Sequence, residues 1–248
     1  MKTIINYSIF FIVTFCNFSF SLFPIWDSKK TILENKCFKN PKSTETWLDS
    51  MEAVKLIKAI DNAISKLRKI KMHREIIFSE KKSNLNNEQY SLYEHEINDL
   101  KARINELEIS KIDMQMLRED KYHTYKFSRW EGCVNQVTKD EDGIIYIHGI
   151  NDALIIHEIR HVSQSLIKNS GQLFFNKDNK LKSVNPWGYK DEMYAYRAQY
   201  GFNPHTLPGP NLRDISSVNL DFLHNLTNDR GVPLYISIND LSKTLKKN

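Results

Sequence analysis

The stretch DALIIHEIRHVSQ, residues 152–164, narrows most what this chain can become. Residues four apart share one face of a helix, so His157 and His161 can bring their imidazoles to one point, with Glu158 one step round beside them. With His157 at zero and about 100° per residue, His161 falls near 40° and Glu158 near 100°. Ile155, Ile159, Val162 and Leu166 gather at roughly 140° to 200°. The pattern predicts a helix buried on its isoleucine side that presents His157, Glu158 and His161 to a cleft. A purely structural helix would instead scatter its polar residues toward solvent or bury a histidine within the stripe.

Two imidazoles on one helical turn suit zinc, and a neighbouring carboxylate that does not bind the ion can accept a proton from water. Zinc also needs a third protein ligand, with a fourth position left open. The metzincin continuation is excluded, because Gln164 and Ile167 stand where it requires glycine and histidine. Downstream, DEMYAYRAQYGF supplies Glu192, and Ala195 one turn on is small enough to let its helix approach the first closely. Glu192, Ala195, Tyr196 and Gln199 share a face. Asp191 competes as ligand, but it suits a first-turn carboxylate favoured by the helix dipole, so Glu192 is preferred.

The surroundings predict an α+β chain. Val54, Ile57, Ile60, Ile64 and Leu67 recur at helical spacing within residues 46–78. Polar turn-formers at 79–89 break the pattern, and Tyr93, Ile97, Leu100, Ile104 and Leu107 carry a second helix to about residue 117. The short connection predicts a long antiparallel hairpin, too brief in heptads to require a coiled-coil dimer. KYHTYKFSRWEG and GIIYIHG read as strands with a loop or hairpin around TKDEDG, and residues 144–148 lead into the motif helix with Asn151 or Asp152 as its N-cap. The DEMYAYRAQYGF helix is expected to stop at Gly201. Beyond it are expected an amphipathic helix near 214–226, a strand in VPLYISI and a terminal helix from about 239.

At the start, one lysine, an apolar run at 9–15 and small residues at Ser19 and Ser21 have the layout of a signal peptide over residues 1–21. Phe15 disfavours lipidation at Cys16, and retention of the leader as an anchor is the alternative to cleavage. An exported protein is expected, secreted, periplasmic or in the cell envelope, with no membrane span in the mature chain. Cys37 and Cys133 would then be either one disulfide or two buried thiols. The net charge of +5 lacks a dense basic block, so nucleic acid is not an expected partner.

HEIRHVSQ followed by DEMYAYRAQYGF resembles the paired signature of gluzincin-type zinc metallopeptidases, most closely short bacterial zincin-like domains. The resemblance covers residues 143–202, about a quarter of the chain. It implies a zincin-like domain over 121–248, with a small sheet, an active-site helix and a Glu-bearing helix, preceded by the N-terminal segment and helical hairpin of 22–120. It also implies a Zn2+ cofactor held by His157, His161 and Glu192, with Glu158 as general base in hydrolysis of a peptide or protein substrate. The gap between His161 and Glu192 is longer than in the best-known members, which bears on the shape of the cleft. Tyr196, Arg197, His205 and His224 are candidate donors to a tetrahedral oxyanion. His148 reads as a structural or rim histidine, and the strand at 144–148 is expected to offer its edge to an extended substrate. Two other readings stand beside this one: an inactive scaffold engaging a protein partner through the hairpin, and an exported metallopeptidase-like toxin.

Overall fold

The computed structural model describes residues 44–48, 50–129, 135–183, 188–209, 212–227 and 234–235. The leader, Cys16, Cys37, Cys133, the terminal helix and most of VPLYISI lie outside the described residues. Among those described, no helix is long and apolar enough to cross a membrane.

The fold is mixed α+β, with a four-stranded sheet and a long helical pair. Helix α1 (Ser50–Lys81) has 32 residues and α2 (Asn87–Glu119) has 33, each about 50 Å long at 1.5 Å per residue. Ion pairs fix their sense: Asp61 meets Lys111, Arg68 meets Glu108 and Arg74 meets Glu96, so the partners run in opposite chain directions. These pairs are exposed and each contributes at most about 1 kcal/mol. The apolar seam does the holding, through Ala53, Leu56, Ile60, Ile64 and Leu67 of α1 against Leu100 and Leu107 of α2. At its start the seam uses Ala53 and Leu56, while Val54, expected within it, is 52% exposed.

The break between the helices is shorter than the 79–89 predicted. Asn86 accepts from the backbone N–H of Gln89, and the Gln89 side chain accepts from that of Asn86; this capping box starts α2 inside the expected turn. Residues 46–47, expected at the head of the first helix, lie in strand β1 (Thr44–Trp47). The seam of α1 begins only at Ala53, which leaves the β-branched and aromatic pair Thr46–Trp47 available to β2 (Tyr125–Arg129).

Strand order is β1-β2-β4-β3, with β3 at Gln136–Lys139 and β4 at Ile145–His148. The two strands read from sequence are parallel neighbours, Phe127 opposite Ile147, and the hairpin joins β3 to β4 instead. TKDEDG is therefore only partly turn: Thr138 and Lys139 extend β3, and Asp140 closes the loop by accepting from Ile144 N–H. Gly143 supplies the left-handed backbone this requires, at φ 83°. With β2 on one side and β3 on the other, β4 has no edge to lend a substrate, contrary to the expectation. β3 lies at the end of the strand order, and residues 179–181 pair with its outer side, Lys139 N–H donating to Asn179 O and Leu181 N–H to Val137 O.

Helix α3 (Asp152–Lys168) carries the motif, and Asn151 caps it by accepting from Leu154 N–H. Asp152, the other candidate cap, pairs instead with Arg129 at 2.6 Å. The turn from β4 is tight: a Cβ on Gly149 would lie 2.9 Å from the backbone nitrogen of Ile155. Ile155, Ile159, Val162 and Leu166 are all buried, and they share one core with Phe127, Ile145 and Ile147 of the sheet and Leu107, Met114 and Leu117 of α2. Each such side chain contributes about 1.5–3 kcal/mol by leaving water.

Helix α4 (Tyr189–Phe202) crosses both α2 and α3. It does not stop at Gly201. That glycine is an inner residue where α4 meets α2, and an added Cβ would lie 3.3 Å from Arg103 O and from Glu106 Cβ. The helix ends at Asn203, whose N–H donates to Gln199 O, with Pro204 opening a 3-10 turn. The single helix expected at 214–226 is split by two caps. Asp214 receives Ser217 N–H for a 3-10 turn, and Asn219 receives Phe222 N–H for the short helix α5 (Leu220–Asn225).

Candidate metal centre

The isoleucine face of α3 lies in the core, so its opposite face opens toward α4. There His157, His161 and Glu192 come together, with one donor atom from each within 4.8 Å of the others. His157 Nε2 and His161 Nε2 are 3.2 Å apart. Glu192 places Oε2 3.6 Å from His157 Nε2 and Oε1 3.5 Å from His161 Nε2. These three residues can hold a metal ion. Ala195, wholly buried one turn after Glu192, is the small side chain expected where the two helices meet.

Asp191, the rival ligand, lines the same cleft but does not belong to this group. It is buried, and its Oδ2 accepts from Ser183 Oγ at 2.5 Å. That bond ties the segment before α4 to its first turn.

His161 and Glu192 shift each other's protonation in opposite directions. Burial by itself would lower the His161 imidazole, but the Glu192 carboxylate outweighs it, with Glu158 and Asp191 adding to the effect, and raises it to about 9. Burial would likewise raise Glu192, yet the two imidazoles hold it well below the usual carboxylate range. The shifts favour a protonated His161 beside an ionised Glu192.

The donors are aimed by further residues. His157 Nδ1 is 3.0 Å from Gln199 Oε1. Tyr235 donates to Glu192 Oε2 at 3.0 Å. Tyr196 sets its ring edge-on to His157 at 4.6 Å and lies 3.5 Å, oxygen to oxygen, from Tyr235. Burial, then the Glu192 charge, pushes both phenols up, so they stay protonated donors. Tyr235 has no local signal in the sequence, because only the return of the chain past Leu226 brings it to Glu192: Leu234 N–H donates to Leu226 O.

The donor group opens on a cleft of about 540 Å³. Glu158 lines it beside the ligands and is 5% exposed, and Val137, Leu154, Leu181, Leu207 and Pro208 give it apolar walls. Comparison with protein families, with curated proteins and with solved structures returned no match to this chain.

Of the four candidate oxyanion donors, Tyr196 lines the cleft. Arg197 donates its Nε–H to Val218 O, His205 is exposed on the 3-10 turn, and His224 packs edge-on against Tyr189. His148 is structural in its setting. It is 2% exposed, lies 2.8 Å from Thr138 Oγ1, and is lowered to about 4 by burial.

Arg160, between the two histidines, has no local signal in the sequence for its role. It is 5% exposed and reaches Asp113 through Nε at 2.5 Å and Glu106 through Nη1 at 3.1 Å. Ser163 donates to the other Asp113 oxygen at 2.7 Å. Two carboxylates of α2 are thus joined to the helix that carries the histidines.

Proposed function

We propose that this chain is a zinc-dependent peptidase of zincin-like type, exported from the cell, in which His157, His161 and Glu192 hold the ion and Glu158 is the general base. One observation carries the reading: two imidazole nitrogens and a carboxylate converge at the wall of a cleft that a fourth residue, Glu158, also lines without belonging to the ligand group. The spacing supports zinc. Ligand atoms about 2.0–2.1 Å from one ion at tetrahedral angles lie roughly 3.3–3.4 Å apart. The two imidazole nitrogens, 3.2 Å apart, are close to this, and Glu192 brings a different oxygen to each, at 3.6 Å from His157 and 3.5 Å from His161.

A zinc ion bound there supplies a Lewis acid for a carbonyl and makes a neighbouring water acidic near neutral pH. The rest is done by side chains. Glu158 accepts the water's proton on its carboxylate and returns it to the departing amine. Tyr196, held protonated, offers an O–H donor on the cleft wall where negative charge develops on a carbonyl oxygen, while Tyr235 keeps its proton directed at Glu192 Oε2. The apolar walls exclude water and accept side chains flanking the bond.

The test is to purify the chain, measure bound metal, and follow cleavage of an unstructured protein by wild type and Glu158→Gln. About one zinc per chain is expected in both, with cleavage falling roughly 10²- to 10⁴-fold in the variant. No metal under any loading condition would remove the site. Bound metal with no cleavage by either protein would make this a binding protein.

A further inference from the structure

Gln199 is wholly buried on α4, two turns beyond Glu192 and on the same face. One end of its amide lies 2.7 Å from Thr206 O and 3.3 Å from Thr206 Oγ1; the other lies 3.0 Å from His157 Nδ1. A backbone carbonyl only accepts, so the end facing Thr206 O is the NH2 group and the end facing His157 is the amide oxygen. That oxygen also only accepts. His157 must therefore carry its proton on Nδ1, which leaves the Nε2 lone pair pointing to where His161 Nε2 and Glu192 converge.

We propose that Gln199 is the positioning residue of this centre: it holds His157 as the Nδ1–H tautomer and fixes its ring, so that Nε2 is presented as a ligand. Thr206 completes the device. Its own hydroxyl donates to Asn203 O at 2.7 Å, so the acceptor that orients Gln199 is held in turn. Leu207 and Pro208, which follow Thr206, form part of the cleft wall. The wall and the ligand are thereby joined through one buried amide. An apolar residue at 199 would let the imidazole place its proton on Nε2, turning a donor toward the ligand point. The inference rests on the metal-site reading above, but the tautomer can be observed without metal.

The experiment is nitrogen-15 NMR of the histidine rings in metal-free full-length protein, together with zinc affinity by competition against a chromophoric chelator. In wild type, His157 should carry its proton on Nδ1. Gln199→Met should lose that preference and bind zinc about 10- to 100-fold more weakly. Gln199→Glu, carrying its carboxyl proton on the oxygen that meets Thr206 O, keeps an acceptor facing Nδ1 and should retain the Nδ1–H signature. A wild-type His157 protonated on Nε2 overturns the proposal whether or not the Met variant folds. So does a folded Met variant with unchanged tautomer and zinc affinity within twofold of wild type. Wild type that shows the Nδ1–H tautomer but takes up no zinc would instead overturn the metal reading and leave the Gln199–His157 assignment standing.

Discussion

Arg160 Nε donates to Asp113 Oδ2 at 2.5 Å with both side chains buried, so the helix carrying His157 and His161 is tied to the helical hairpin by an ion pair removed from water. The hairpin therefore acts on the candidate site as scaffold.

Removing one partner of such a pair strands the other charge. Asp113→Ala should destabilise the protein by about 3 kcal/mol, the low end of the usual range, because Glu106 still faces Arg160. Urea denaturation measures it. Combining Asp113→Leu and Arg160→Met with Glu106→Gln, which removes all three charges, should restore most of the loss, since a buried ion pair often does no better than apolar residues of similar volume. A triple variant weaker than Asp113→Ala alone would contradict this account.

Glu192 and Asp191 are adjacent carboxylates with different partners, which separates them by experiment. Glu192→Ala should weaken zinc binding by more than the roughly 100-fold upper end for a supporting residue. Asp191→Asn should hold zinc within a few fold of wild type, because its carboxylate is engaged by Ser183. Chelator competition on both variants decides, and the reverse order would make Asp191 the ligand.

His148 gives the fold an acid-sensitive element. Its imidazole is lowered to about 4 by burial, against about 6.5 in an unfolded chain. Between those values the unfolded state binds the extra proton, so stability is intact above pH 6.5 and is lost as pH falls toward 4. On going from pH 7 to pH 4.5 this residue should remove about 2 kcal/mol. His148→Gln should shrink the wild-type difference between the two pH values by that amount in urea titrations. An unchanged difference would place the acid sensitivity elsewhere.

Gly149 sits where β4 turns into α3, and its position needs the missing side chain. Gly149→Ala would press a methyl group to 2.9 Å from the backbone nitrogen of Ile155. The expected cost is about 1–3 kcal/mol. Because the shift falls at the head of the helix bearing His157, zinc affinity should fall as well. Thermal melting and chelator competition on one sample test both parts.

The chain by itself determined the two hairpin helices, the motif helix and the helix bearing Glu192. The seam from Ile60 to Leu67, the motif helix behind Asn151, and the helix bearing Glu192 were all legible, because a helix is built from neighbours and its periodicity is written locally. His157, His161 and Glu192 could be named as a group for the same reason: two share a turn, and the third stands on a helix with an alanine where close approach requires one. Tertiary structure alone decided what partners across the chain. β2 and β4 became parallel neighbours with β3 beyond them, a choice of pairing that strand propensity does not encode. Gly201 became an inner contact with α2 although its composition reads as a helix stop. Arg160 found Asp113 across 47 residues, His157 found Gln199 across 42, and Glu192 found Tyr235 across 43. A buried polar side chain must find a partner wherever the packed fold supplies one. No local pattern names that partner before the helices cross.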